Sequence, residues 1–262
     1  MIQNSLNTKN YFSPENNHLY MGSSQFKAFM NCEAQALAEI NGEHKRETTD
    51  ALLAGSYIDA FFEGTLDDFK AKNPEIFTKS GELKANYRHI ENVIERVCRD
   101  KRFMQYMSGE KQKIFTGEIA GVPFKIKVDS FHPFAIVDLK CVRDFQPVWN
   151  AHEGIRQHFA LYWRYDIQGA IYREIVRQNI GKTLPFYLAV CTKEKQPDID
   201  LICIDDSFLD NALNEVKALA PRFQRIKNGE IQPKKCCECD YCKSVKKITA
   251  PVYLSELCSD IL

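Results

Sequence analysis

Hydrophobic positions recur at two different periods along this chain, and the change of period marks its plan. Phe26, Phe29, Met30, Ala34, Leu37 and Ile40 keep helical spacing, which predicts a helix opened by Ser23-Ser24 and ended by Asn41-Gly42. A second helix is predicted over 48–63, with Leu52, Leu53, Tyr57, Ile58, Phe61 and Phe62 inward and Gly64 as its stop. Residues 66–84 are polar and mixed and read mostly as loop. A longer helix over about 85–107 carries Ile90, Val93, Ile94, Val97 and Met104. The period then falls to two, and three strands are predicted over 112–120, 122–130 and 134–141. Ala120-Gly121-Val122 is a turn signal, and His132-Pro133 sits at a hairpin connection. A long helix follows over about 154–179, with Phe159, Tyr162, Trp163, Ile167, Ala170, Ile171 and Ile175 on a wide apolar stripe, and Gly181 ends it. Two further strands are predicted over 184–192 and 199–204, then a helix near 208–228 capped by Ser207. Helix, three strands, helix and strand in this order imply an α/β fold: a mixed sheet (αβββαβ) with helices on its faces and extra N-terminal helices at one end. No Pro/Gly/Ser-rich linker and no internal repeat divides the chain, so a single domain over 1–262 is expected, with a cysteine-bearing C-terminal segment over 232–262.

Composition narrows the classes. The 262 residues are 44% hydrophobic and 27% charged, which is ordinary for a globular chain. The formal net charge of zero argues against coating nucleic acid by bulk charge, but not against a local basic channel. No apolar run is long enough for a membrane span, and the polar N-terminus lacks the apolar core of a secretory signal. A soluble, cytoplasmic protein without membrane contact is the expectation. Of 10 cysteines, Cys32, Cys98, Cys141, Cys191, Cys203 and Cys258 are dispersed, whereas Cys236, Cys237, Cys239 and Cys242 cluster. In that compartment a disulfide framework is not expected, and the dispersed thiols read first as small core hydrophobes.

The chemistry concentrates in the strand pair over Gly121 to Lys140. Phe124, Ile126 and Val128 share one face of the first strand, with Lys125, Lys127 and Asp129 on the other. In the second strand Ala135, Val137 and Leu139 share one face, and Asp138 and Lys140 the opposite one. Two carboxylates and an ammonium on one side of a hairpin suit metal-assisted phosphodiester hydrolysis, because magnesium and manganese take oxygen ligands together with waters and phosphates. By spacing alone, a solvated charged face is the plainer reading. Gln168 and Tyr172, at i and i+4 of the following helix, share a face, and Gly55 stands four residues before Asp59.

This combination resembles the PD-(D/E)xK nuclease superfamily, and within it the RecB/RecE branch, the exonuclease VIII (RecE-like) group often carried by phages and prophages. The resemblance spans roughly residues 23–242. It implies that Asp129 and Asp138 are metal ligands for Mg²⁺ or Mn²⁺, that the Leu139 carbonyl also reaches the metal, and that Lys140 is the catalytic lysine. It implies Gln168 and Tyr172 as a substrate-contacting pair, and Glu118 as an acidic position that some relatives use near the metal. Where the family has a histidine after the Gly55 frame, this chain has Asp59, which can still ligate a metal but cannot act as a neutral imidazole. The six histidines (His18, His44, His89, His132, His152, His158) stand outside such a frame and read first as surface or core residues.

Cys236, Cys239 and Cys242 are each three apart, a spacing that suits an iron–sulfur cluster or zinc. Some relatives staple a [4Fe–4S] cluster with one N-terminal and three C-terminal cysteines, and Cys32 resembles that N-terminal ligand. Zinc with Cys237 as fourth ligand, and thiols without metal, remain as alternatives. Arg222, Arg225, Lys227, Lys234, Lys235, Lys243, Lys246 and Lys247 are candidate DNA contacts or solvated surface. The expected activity is a metal-dependent exonuclease on linear double-stranded DNA in recombination. The resemblance adds DNA, a homo-oligomer and a single-strand annealing protein as partners. The alternatives are a nuclease-fold DNA-binding protein that no longer cleaves, motivated by Asp59, and a cysteine-cluster protein that docks a partner.

Overall fold

The N-terminal hydrophobic spacing makes helices, in shorter pieces than predicted. The computed structural model describes residues 6–151, 153–248 and 250–254; His152 and Cys258 lie outside them. Helix α1 is Pro14–Leu19, α2 Ser23–Asn31 and α3 Glu33–Ile40. The single helix expected over 23–40 is thus broken at Cys32, where φ of -160° and ψ of 110° are extended. The Cys32 sulfur accepts from the Gln35 amide and caps α3, so the break is stabilised where it occurs. At the start of α2 the cap is Gly22, and neither serine supplies the expected side-chain bond.

Helix α4, Asp50–Glu63, starts on Thr49, whose hydroxyl accepts from the Leu52 amide, and stops at Gly64 with φ of 77°, as the sequence implied. Its buried stripe is narrower than predicted: Leu52 and Phe61 are 58% and 39% exposed. Residues expected as loop form α5, Leu66–Lys72, and a short 3₁₀ turn, Pro74–Ile76. The helix expected over 85–107 divides into α6, His89–Arg99, and α7, Lys101–Tyr106, because the Asp100 carboxylate caps a new N-terminus by accepting from the Phe103 amide at 2.9 Å.

The three predicted strands are β1, Glu110–Ile119, β2, Val122–His132, and β3, Ala135–Val142. The long helix predicted over 154–179 is only partly present. Its first part is β5, Ile155–Gln157, which pairs back with β4, Val148–Asn150, and is followed by the single turn α8, Phe159–Tyr162. Arg164 then takes a left-handed φ of 52°, and α9 runs Tyr165–Ile180 to the predicted stop at Gly181. The strained Arg164 backbone is compensated by its guanidinium, which bonds Asp166 at 3.1 Å and Glu215 at 2.6 Å. Strands β6, Phe186–Thr192, and β7, Ile199–Cys203, precede α10, Asp206–Lys227, which is capped at Asp205 and not at Ser207, and α11, Asp240–Ser244.

The main sheet has the order β1-β2-β3-β6-β7, antiparallel throughout except for the parallel pair β3/β6. Parallel neighbours need a crossover, which α8 and α9 supply. Helices cover both faces. Phe124, Ile126 and Val128 of β2, with Ile136, pack against α2, α9 and α10 through Phe26, Ile171 and Phe223. Ala135, Val137 and Leu139 of β3 pack on the other side against α4, α6 and α7 through Ile58, Ile90 and Phe103. The mixed α/β fold with added N-terminal helices is therefore present, and the apolar faces of the two central strands serve opposite cores. Among the described residues no helix is long and apolar enough to cross a membrane.

Candidate active site and cysteine centre

Strands β2 and β3 pair only near their hairpin, through Ser130↔Val137, Phe131↔Ile136 and His132↔Ala135. Beyond Ser130 they part. The Leu139 amide, which a ladder would give to a backbone carbonyl, donates instead to Asp129 Oδ2 at 2.9 Å. The gap so opened is continuous with a cavity of about 570 Å³. Asp59 and Glu63 of α4 line it from one side of the sheet, and Gln168 and Tyr172 of α9 from the other. Asp129, Asp138, Leu139 and Lys140 lie between them.

Asp138 is 2% exposed. Its Oδ1 accepts from Gln168 Nε2 at 2.7 Å, and its Oδ2 meets the Lys140 ammonium as an ion pair that lacks hydrogen-bonding geometry. Burial pushes the Asp138 carboxyl up to about 6, with Lys140 opposing and Asp129 adding to the rise. Lys140 also donates to the Leu139 carbonyl at 3.3 Å and lies 5.2 Å from the Tyr165 ring centre. The carboxylates of Asp138 and Asp129 hold its ammonium above the usual lysine range, in spite of burial. Asp129 Oδ1 accepts from Gln112 Nε2 at 3.2 Å. Gln112 has a left-handed φ of 52° and drops out of the β1/β2 pairing, which keeps the same register on either side, so a locally strained residue fixes this carboxylate.

Asp59 keeps contact with solvent through the cavity. Enclosure by the surrounding protein raises its carboxyl to about 8, and the charge of Asp129 adds to that while Lys140 opposes it. Glu63, one turn further along α4, is also raised by enclosure. The sequence reading passed over Glu63, although its i+4 relation to Asp59 places both on one face. It also passed over Lys27 of α2, which donates to the Trp163 carbonyl at 3.1 Å and lies 5.2 Å from the Tyr165 ring centre. Burial and the nearby Lys140 ammonium bring Lys27 down to about 8.

Two expectations need correction. Glu118 is exposed and lies six residues along β1 from Gln112, about 20 Å at about 3.3 Å per residue, so it is outside the cavity. Gln168 and Tyr172 do line the cavity, but their polar atoms work inward: the Gln168 amide holds Asp138, and the Tyr172 hydroxyl donates to the Lys127 carbonyl at 3.1 Å. Several late basic residues are likewise engaged within the fold. Arg222 bonds Glu33 at 2.6 Å, Arg225 bonds Glu230 at 3.3 Å, and Lys227 donates to the Tyr20 carbonyl and to Gln25, each at 2.9 Å.

The second centre is sulfur. The Sγ atoms of Cys32, Cys236, Cys239 and Cys242 lie within 4.8 Å of one another. Cys32 and Cys242 are 3.5 Å apart, and Cys236 and Cys242 3.9 Å. The amides of Cys239 and Glu238 point at Cys236 Sγ from 3.3 and 3.5 Å and hold its thiol down to about 6. Cys237 faces away: it is exposed, its φ is 65°, and its sulfur turns to the Lys235 carbonyl. The expected set of Cys32 with Cys236, Cys239 and Cys242 is the one that comes together, and the alternative that uses Cys237 in place of Cys32 does not. The extended break between α2 and α3 is what lets Cys32 reach across to the C-terminal segment.

A splayed antiparallel pair carrying two aspartates and a lysine, set in a mixed sheet between helical layers, defines a PD-(D/E)xK architecture. Residues 22–245 match the family described as a PDDEXK-like domain of unknown function (DUF3799), and the chain belongs to that family. Its fold is also that of the solved structure of a "Putative exonuclease" from Eubacterium rectale, at 46% sequence identity and a TM-score of 0.91, covering 97% of this chain and 98% of that one. Among curated proteins none matches.

Proposed function

We propose that the protein is a divalent-metal-dependent nuclease that hydrolyses phosphodiester bonds of linear double-stranded DNA from its ends. The observation that carries this reading is the meeting of Asp129, Asp138 and Lys140 in one cavity at the point where β2 and β3 part. The donor set fits Mg²⁺ or Mn²⁺: it is all oxygen, and the buried Asp138 Oδ2 is met by the Lys140 ammonium without hydrogen-bonding geometry, which leaves it free to accept a cation. Asp129, Asp138 and the Leu139 carbonyl would hold the ion, with Asp59 on the opposite wall. When bound, the ion supplies charge neutralisation at the scissile phosphate and a more acidic attacking water. Lys140, kept protonated by its carboxylate neighbours, donates to an anionic oxygen and does not serve as a base. Gln168 keeps the Asp138 carboxylate turned toward the cavity. The exonuclease description of the Eubacterium rectale protein supports action at ends.

Purified protein with magnesium or manganese is expected to digest linear duplex DNA and to spare covalently closed circles. Asp138→Ala is expected to lose that digestion while keeping its fold. Equal digestion by the variant would overturn the site assignment. DNA retention by the parent protein without loss of substrate would favour a binding protein, the reading that Asp59 motivates.

We also propose that the four cysteines hold a [4Fe–4S] cluster that ties the α2/α3 junction to the C-terminal segment. A C-x₂-C-x₂-C run with a remote fourth cysteine supports it. The sulfur separations of 3.5 and 3.9 Å instead match the ~3.8 Å that a single tetrahedral zinc would impose through Zn–S bonds of ~2.3 Å, and are shorter than a cluster in which each cysteine binds its own iron would set, so zinc is the competing reading. Metal and sulfide analysis of anaerobically purified protein, with its visible absorbance, separates the two.

A further inference from the structure

At the lip of the catalytic cavity an aromatic ring is held out into water. Phe12 is 68% exposed, yet it lines the same cavity as Asp129 and Asp138. Single exposed apolar residues are common and need no explanation by themselves. Phe12 differs in how firmly it is placed. Its carbonyl accepts from Asn17 Nδ2 at 3.2 Å. The preceding residue, Tyr11, is buried, donates its hydroxyl to the Lys125 carbonyl at 3.3 Å and accepts the Lys125 ammonium on its own carbonyl. The residue after, Ser13, caps α1. The ring of Tyr11 meets that of Phe12 edge-on, with centres 4.8 Å apart.

The charge beside the ring is equally specific. Lys127 of β2 places its ammonium 5.3 Å from the Phe12 ring centre and 5.8 Å from that of Tyr11. It makes no salt bridge to any described residue. Two residues further along the same strand is Asp129. A fixed exposed aromatic face next to a cation that makes no salt bridge to a described residue is the pairing that binds single-stranded nucleic acid: the ring stacks a base and the ammonium neutralises the adjoining phosphate. An apolar face alone would suit many partners, but a cation on the strand that also carries Asp129 selects a polyanion whose apolar groups are flat.

We propose that Phe12 is a stacking platform for a nucleobase of the strand that enters the cavity, with Lys127 holding the neighbouring phosphate, so that this pair positions the DNA end for cleavage. The proposal rests on the nuclease reading above. Phe12 is a positioning residue and touches no reacting atom. Because stacking on an aromatic is tolerant of base identity, the platform confers preference for an unpaired end and not for a sequence.

The test uses linear duplex DNA carrying 2-aminopurine at the terminal position of one strand, with calcium in place of magnesium so that the DNA stays intact. The parent protein is expected to bind and to change the 2-aminopurine fluorescence. Phe12→Ala is expected to bind roughly 5- to 150-fold more weakly, the equivalent of about 1–3 kcal/mol, and to lose most of the fluorescence change at saturation. Phe12→Tyr, which keeps a stacking face, is expected to restore both. With magnesium, Phe12→Ala should raise KM far more than it lowers kcat. Equal binding and an equal fluorescence change in Phe12→Ala would overturn the platform while leaving the nuclease reading intact. Failure of the parent protein both to bind and to digest the DNA would overturn the nuclease reading itself, and the platform with it.

Discussion

Gln168 Nε2 donates to Asp138 Oδ1 across 2.7 Å, joining helix α9 to strand β3 at the centre of the cavity. The bond explains why a helix residue 30 positions along the chain matters to the carboxylate. A buried aspartate with one oxygen fixed by an amide presents the other in one direction. Replacing Gln168 by Leu should lower metal-dependent DNA digestion by roughly 10- to 100-fold, the usual cost of losing such an orienting partner. The melting temperature should change little compared with the loss of rate, and steady-state kinetics with a thermal melt check both.

Gly169, the next residue, is packed between β6 and α10. A Cβ there would stand 2.6 Å from the Phe186 ring and 2.8 Å from a Leu209 methyl. Phe186 is fully buried and cannot give way cheaply. Gly169→Ala should therefore destabilise the fold by about 1–3 kcal/mol, although alanine is the better helix former. Denaturant unfolding measures this directly.

The raised carboxyls predict a pH dependence with a definite sign. Asp138 is pushed up to about 6 and Asp59 to about 8, from the usual aspartate 3.8. Without metal, the folded chain then holds more protons than the unfolded one between about pH 4 and 8. The stability these two groups contribute is full below about pH 4 and is lost as pH rises through 6 and 8. Asp138→Asn should flatten the lower part of the curve, by on the order of 2 kcal/mol, and Asp59→Asn the upper part by less, because solvent screens its carboxyl. Lys227, brought down to about 7 by burial, works in the opposite sense above that pH, so differences between proteins are the readout. Melting temperatures in chelator across this range test the assignment, and added magnesium should reverse the loss.

Glu118 supplies the contrasting case. It is exposed at the far end of β1, and its amide and carbonyl, not its carboxylate, bond the Gln178 side chain. Glu118→Gln should leave both digestion and stability within a factor of about two and about 0.5 kcal/mol of the parent. A large loss of rate would mean that this strand end approaches substrate.

The cysteine centre predicts opposite outcomes for Cys32, which belongs to it, and Cys237, which does not. Cys32→Ser should lose bound metal and lower the melting temperature, because it unties the α2/α3 junction from the C-terminal segment. Cys237→Ser should keep the metal, since its sulfur points elsewhere. Metal content per chain decides between them.

The alternation in β2 and β3 was readable from the order of residues, because side-chain direction in a strand depends only on parity. So were the stops at Gly64 and Gly181, where a left-handed backbone favours glycine, and the pairing of Cys32 with the three late cysteines, which spacing and resemblance suggested. The sequence thus named Asp129, Asp138 and Lys140, and they do meet. It did not show that the two strands separate at Asp129, since that depends on a side chain replacing a backbone acceptor. Nor did it show that Gln168 and Tyr172 turn their polar atoms to the fold, that Cys32 breaks a helix whose hydrophobic spacing continues through it, or that a strand begins the segment read as helix over 154–179. Periodicity reports which face of an element is buried and is silent about where the element bends. Those bends are set by contacts between residues far apart in the chain, such as Arg164 with Glu215 and Cys32 with Cys242. Only the tertiary structure could decide them.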